Sequence, residues 1–404
     1  YKFAGCTLTR LGRSHPDVVI VGAGITGCAT ALALAEAGVK VEVIERYRPA
    51  AMASGWTLAG VRQSGRDPAE LPLARKAVEI WQTLDARLDA QTGYRQSGNL
   101  RLARTESEAE VIRNLVSSQT EAGLEMEILN PVEVREIAPS LAKGFLLASW
   151  CPSDGHADPV ASVEGFRNAA ERLGVRFRTN VNVTNVNIIE TVARRQFASF
   201  MTTDGPIVAG AGLLATGIQT NALLEGLGLH IPMSIPLVSV FQTAPLPETL
   251  GPVIGVANAD LAIRQQIDGR LRFTGGAEQA SAALEMSGEY PEVHPPAASL
   301  ARTISLVSAT LPMVAKAPIA RIWGGLLDLT PDALPVLDCV SGIDGLFVAA
   351  GFSGHGFGIG PAIGPVLASQ ILGKKSELSV KAFSFDRFKN QSVEKMKGSL
   401  QLHG

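Results

Sequence analysis

The hydrophobic pattern changes period several times along the chain, and each change marks an element. Residues 18–21 form an unbroken β-branched run, which suits a strand buried on both faces of a parallel sheet. Residues 25–37 are rich in Ala and Leu and read as a helix stopped by Gly38; residues 39–44 are a second strand. Residues 68–88 are predicted helical, with Leu73, Ala77, Ile80, Trp81 and Leu84 on one face. From Tyr94 the pattern shortens: a half-buried strand (98–103), a charged amphipathic helix (106–123), a strand (125–129), a short helix (131–137) and a strand (145–151). A helix (160–173), a strand (175–178) and a hairpin turning at Asp204-Gly205 follow, and the hairpin ends in an apolar strand and Ala215-Thr216-Gly217. Residues 237–243, 261–266 and 270–275 read as antiparallel strands, with a tight turn at Asp268-Gly269, and 299–311 as an amphipathic helix. Residues 320–329 are predicted as a strand returning to the first domain, 330–338 as a loop, and 346–350 as a short apolar strand. The last element is a small-residue helix ending near Leu372.

The first turn carries chemistry. Gly22, Ala23, Gly24, Ile25, Thr26 and Gly27 spell G-x-G-x-x-G between a strand and a helix. The first glycine allows the tight turn, the second lets backbone approach a pyrophosphate, and the third lets the helix pack closely. The helix N-terminus offers free N–H groups and the positive end of its dipole to phosphates. Glu45 stands at the end of the second strand, where a carboxylate accepts from ribose hydroxyls and disfavours a 2′-phosphate; Arg46 follows it. Ser54 and Gly55, in a segment rich in Ala, Gly and Ser, are candidate pyrophosphate contacts, and Ala215 to Gly217 are small enough for a cofactor to lie against their backbone. These features indicate a dinucleotide and do not separate FAD from NAD.

Composition narrows the classes. With 404 residues, 46% apolar and 18% charged, the chain has the makings of a large core, and a net charge of −2 gives no reason to expect nucleic acid or an anionic membrane as partner. Cys6, Cys28, Cys151 and Cys339 are widely spaced, which favours reduced thiols over a metal or disulfide framework. No run is long and apolar enough to span a bilayer, and residues 1–16 read as a polar surface arm without signal-peptide character. The expectation is a soluble, cytoplasmic protein without a bound metal.

A second strand-to-glycine-to-helix element lies near the other end. Gly351, Phe352, Ser353, Gly354, His355, Gly356, Phe357 and Gly358 allow close backbone approach to a flat ligand, and the following helix N-terminus can stabilise negative charge. Taken alone it is equally a close packing contact. With the first motif, it suits a cofactor long enough to be held at both ends, which is FAD.

These motifs, together with SGNLRLA, WGGLLDLTPDALPVLD and GLFVAAGFSGHGFGIGPAIG, resemble the D-amino acid oxidase and sarcosine oxidase family of FAD-dependent amine oxidoreductases. The resemblance is strongest to β-type chains of sarcosine oxidase, hydroxyproline dehydrogenase and opine oxidase. It implies an α/β fold: a discontinuous Rossmann-type FAD-binding domain (1–92, 152–232 and 318–404) and an α+β substrate domain (93–151 and 233–317) whose mixed or antiparallel sheet covers the flavin. It implies that Val183 contacts the adenine, Ala215 to Gly217 the middle of the cofactor, and Gly351 to Gly358 the flavin. His355 falls at a position used near substrate and flavin, a structural histidine being the alternative. Arg62 falls where relatives pair an arginine with a substrate carboxylate, a solvated arginine being the alternative.

Departures from the family matter too. Gly325 replaces a cysteine that anchors FAD in monomeric relatives, and Ala157, beside His156, stands where the β-type chain of sarcosine oxidase links FMN, so non-covalent flavin is expected. Gly358 replaces a lysine and is expected to leave room for a larger substrate such as an opine. The implied activity is hydride transfer from a carbon bearing an amine, in a subunit with an α-type partner, a small iron–sulfur partner and a second flavin (FMN) at an interface as further expectations. A standalone D-amino acid or glycine oxidase and an FAD-bearing electron-transfer scaffold are the alternatives.

Overall fold

The computed structural model describes Leu8, Gly12 and residues 15–279, 285–287 and 290–389; most of the expected N-terminal arm lies outside the described residues. Two large sheets organise it. The first has six strands in the order Val336–Cys339, Leu346–Ala350, Ala211–Leu214, Val18–Val21, Val41–Ile44 and Arg176–Arg178. All its pairings are parallel except the one made by Val336–Cys339. The β-branched run Val18–Val21 sits at its centre, buried on both faces as its composition requires.

Helices Ile25–Glu36 and Gly356–Ile371 pack on this sheet almost backbone to backbone. A Cβ on Gly364 would lie 2.5 Å from Ala29 C and O, and one on Gly360 would lie 2.6 Å from Ile25 Cγ1. Small residues in the last helix thus draw the start of both helices to one place.

The second sheet has eight strands in the order Ile319–Leu326, Pro236–Pro245, Arg270–Gln279, Leu261–Gln265, Val253–Val256, Asn99–Ala103, Leu147–Cys151 and Glu127–Leu129. Alternation gives it two unlike faces. Phe241 and Phe273 stack at 4.9 Å on one face, with Ile263, Ile254, Leu100 and Ala148 in a core shared with Val307 of helix Ala297–Thr310. The other face carries Val240, Thr274 and Ala262 but also Arg272, Arg264 and Arg101.

Several expectations are corrected. The helix expected over 68–88 is two helices, Leu71–Trp81 and Leu84–Leu88, broken at Gln82 and Thr83. The strand expected to return to the first domain is the edge strand of the eight-stranded sheet, held by antiparallel pairing to Pro236–Pro245. The expected loop 330–338 contains the start of strand Val336–Cys339, and Val253–Val256 is a strand that the pattern did not announce. Cys339 is disulfide-bonded, which removes the thiol argument for a reducing compartment, while Cys28 and Cys151 are free and buried. Among the described residues no helix is long and apolar enough to cross a membrane, and no group of metal-ligating side chains assembles.

Candidate active site

A cleft of about 610 Å³ lies between the six-stranded layer and the arginine-bearing face of the second sheet. Two helix starts open onto it. Gly24, Ile25 and Thr26 line it at one, and His355, Gly356 and Phe357 at the other. Neither helix has a side-chain cap bond or an acidic residue in its first turn, so both present positive dipole ends. Gly22 also lines the cleft. Its φ of +106° turns the chain there, and a Cβ would lie 2.3 Å from Ala215 O. Ser54 Oγ accepts from Ile25 N–H at 3.0 Å. Glu45 accepts from Ala23 N–H at 2.7 Å and Tyr47 N–H at 2.9 Å, joining the glycine turn to the end of the second strand while still lining the cleft. Burial pushes its carboxyl up, against these backbone donors.

Of the other expected residues, Arg46, Arg62, Val183, Ala215, Thr216, Gly217, Phe352, Ser353 and Gly354 line the cleft. Ala23, Gly27, Gly55, Gly351 and Gly358 do not; they serve the cradle from behind. A Cβ on Gly27 would lie 2.0 Å from Gly22 O, and one on Gly55 2.0 Å from Ala50 O. The room expected beside Gly358 is absent. A Cβ there would meet Gly60 O at 2.8 Å, and Trp81 Nε1 donates to Gly358 O at 2.8 Å, so this glycine is a packing contact. Gly325 lines the cleft, whereas His156 is buried away from it with Nδ1 accepting from Arg264 at 3.2 Å. These features fit a dinucleotide. The glycine turn, Glu45 and Ser54 would hold the adenosine and pyrophosphate part, and the segment Phe352 to Phe357 would hold the flavin of FAD.

At the end formed by Phe352 to Phe357 the cleft is cationic. The two-residue ribbon Gly60–Val61 against Gly155–His156 carries the chain past Asp154, whose carboxylate accepts from Gln63 N–H at 2.8 Å and from Ser64 Oγ. Gln119 pins the next turn, accepting from Gly65 N–H and donating to Arg66 O. Arg62 and Arg66 are thereby fixed on the cleft wall, with Arg101 packed behind Gly65. Burial, then the like charges of Arg66 and Arg101, push Arg62 down to about 9. Arg66 Nη1 is buried without a hydrogen-bond partner among the described residues. Behind the wall, Glu70 is fully buried, 3.1 Å from His355 Nδ1 and 3.9 Å from Arg66 Nε. Among the described residues, three arginines face two carboxylates, Glu70 and Asp154, and this leaves one positive charge for an anion to meet.

Sequence reasoning missed Arg66, Glu70 and Asp328. Arg66 had a signal, standing one helical turn's spacing after Arg62; Glu70 had none. Asp328 lines the cleft and accepts from Gly351 N–H at 2.7 Å, fixing the second glycine turn; burial raises its pKa to about 6. The native state therefore binds a proton between roughly pH 4 and 6 that the unfolded chain has lost, so stability falls as pH rises through that window. Asp328→Asn keeps an acceptor for Gly351 and is expected to raise Tm by about 2–5 °C above pH 7, with no gain near pH 4. Thermal melts of both proteins across this range check it.

The comparisons with known proteins agree with this geometry. The chain is 27% identical to the β-type chain of sarcosine oxidase from an Arthrobacter species over 390 residues, covering 92% of this chain and 91% of the relative. It is 25% identical to one subunit of the opine oxidase of Rhizobium meliloti, covering 94% and 99%. The structure superposes on L-proline dehydrogenase from P. horikoshii with a TM-score of 0.83 and 25% identity, covering 93% and 98% of the two chains. The family model described as FAD dependent oxidoreductase matches residues 17–370, and the chain belongs to this family, DAO.

Proposed function

We propose that this enzyme oxidises the C–N bond of a secondary amino acid, of the imino acid, sarcosine or opine type, as the catalytic β-type subunit of a hetero-oligomeric oxidase or dehydrogenase. The six-stranded layer, with residues 1–92, 152–232 and the chain after Leu326, serves as FAD domain, and the eight-stranded sheet as substrate domain. The observation that carries the reading is the excess positive charge at Arg62 and Arg66, beside the second glycine turn. It supports a substrate carboxylate held there, with its α-carbon over the flavin. The same charge favours the neutral form of the substrate amine, which releases hydride most readily. Non-covalent FAD supplies the two-electron acceptor. The resulting imine hydrolyses to an amine and a carbonyl compound. The relatives named for sarcosine, opines and L-proline support this substrate range.

An anaerobic titration of the FAD-loaded enzyme, with partner subunits when these co-purify, tests the reading. Sarcosine, proline, hydroxyproline, octopine, nopaline and D-alanine are added while the visible band of the oxidised flavin is followed. Bleaching by one or more secondary amino acids is expected. Bleaching by D-alanine alone would identify a primary amino acid oxidase, and bleaching by none would overturn the reading in favour of an electron-transfer scaffold.

A further inference from the structure

We propose that the floor of the cleft at Gly255 and Ala262 is the subsite for the uncharged body of the substrate, and that Gly255 sets its depth. The preferred substrate is then a secondary amino acid with one carboxylate and a compact apolar substituent, not an opine. This rests on the function proposed above.

Gly255 has no structural reason to be glycine. It stands inside strand Val253–Val256, paired on both sides, where glycine weakens a strand. Its φ lies outside the left-handed region, and a Cβ there would meet nothing within 4 Å. Other glycines of the cleft differ. A Cβ on Gly22 would lie 2.3 Å from Ala215 O and one on Gly275 2.3 Å from Thr303 Oγ1, while Gly217 has φ +51°. A strand glycine that serves neither a turn nor a close contact, on the wall of a cleft, marks where a ligand comes close to the backbone.

Ile254 lies in the core on the far face of the sheet with Leu100, so alternation turns position 255 toward the cleft, which it lines. One row of the register runs Arg101, Gly255, Ala262, Thr274, Val240 across the sheet. The last four line the cleft, and Arg101 lies at the end where Arg62 and Arg66 stand. A carboxylate held by those two arginines therefore leaves the rest of its molecule over Gly255 and Ala262. The chemistry of this floor selects what lies there. Among the described residues no charged side chain of the sheet lines the cleft. Arg272 donates instead to Thr57 O at 2.8 Å, and Arg264 to Leu58 O. One excess positive charge matches one carboxylate. The second carboxylate of an opine would lose its water there without gaining a partner, whereas apolar carbons gain from burial.

Anaerobic reduction of the FAD-loaded wild type and Gly255→Val by sarcosine, proline and octopine tests this. In the wild type, proline should half-saturate at about tenfold lower concentration than sarcosine, through its two further buried carbons, and octopine should be the weakest of the three. Gly255→Val fills the floor with a side chain that suits a strand. The preference for proline over sarcosine should then fall about tenfold, with flavin content kept and Tm held or raised by a few degrees. An unchanged preference with a lowered Tm would mark a packing glycine, and loss of flavin from the folded variant would mark a cofactor contact. Either result, or octopine as the tightest substrate, would overturn the proposal. If Gly255→Val does not fold, Gly255→Ala and the wild-type preference decide. Cyclopentanecarboxylate has the ring and carboxylate of proline but no amine to oxidise, and so separates this proposal from the function beneath it. Followed through the flavin spectrum, it should bind the wild type at least tenfold tighter than acetate does, and the gap should narrow in Gly255→Val. Equal binding of the two by the wild type would overturn the proposal. If no compound bleaches the wild type, the proposed function falls, and this gap still decides the role of Gly255.

Discussion

Gly22→Ala is expected to yield a chain that purifies nearly colourless, with flavin content below about one tenth of wild type. Residue 22 has φ +106°, a conformation that costs an L-residue about 1–3 kcal/mol. Its new methyl would also stand 2.3 Å from Ala215 O and 3.0 Å from Ala215 C. Both atoms are backbone at the end of strand Ala211–Leu214, which is hydrogen-bonded to the first strand through Ala215 N and Val21 O. The clash cannot be relieved by a side-chain rotation. Either the turn opens or the two strands part, and each outcome displaces the N–H groups offered to the pyrophosphate. The Tm should fall by roughly 5 °C from strain alone, and further where bound cofactor is lost. Absorbance of the purified protein and a melt with excess FAD measure the two effects separately.

Arg62→Met should produce the second largest effect, with opposite signs on binding and stability. Methionine covers a similar length without charge. Losing a charge-assisted bond to the substrate carboxylate should raise the half-saturating concentration for flavin reduction roughly 100-fold. Stability should hold or rise, because desolvation on the cleft wall, and then two like charges, push the pKa of Arg62 down to about 9. A structural arginine would behave in the reverse way, with Tm falling and substrate affinity unaffected. Melts and stopped-flow reduction on the same preparation distinguish the two.

The nucleotide half of the fold was legible because its signals are local. A β-branched run, three glycines at fixed offsets, an Ala-rich helix and a terminal acid lie within thirty residues, and each has one physical reason to be there. Val253–Val256 escaped notice because it is short, follows Pro252, and gains its place from parallel pairing with Asn99–Ala103, far away in sequence. The break at Gln82 and Thr83 carries neither glycine nor proline to mark it. Gly358 shows a different limit. A glycine says that no side chain is wanted, and cannot say whether the space is empty or already filled; here Gly60 O fills it. Arg62 was legible by resemblance, but its partner Arg66 and the buried Glu70 depend on a loop pinned by Asp154 and Gln119. No spacing rule links those four places in the chain.

The contact between helices Ile25–Glu36 and Gly356–Ile371 also sets a timetable. The two glycine turns that line the cleft are separated by more than three hundred positions, and among the described residues strand Leu346–Ala350 meets the earlier strands of its sheet through Ala211–Leu214. During synthesis, at about 5–20 residues per second, the first glycine turn waits some tens of seconds for the segment that completes the seat. The nascent chain must therefore hold its early strands without FAD. Cofactor capture then acts as a late seal on a sheet whose strands Val336–Cys339 and Leu346–Ala350 are made long after Val18–Val21 and Val41–Ile44.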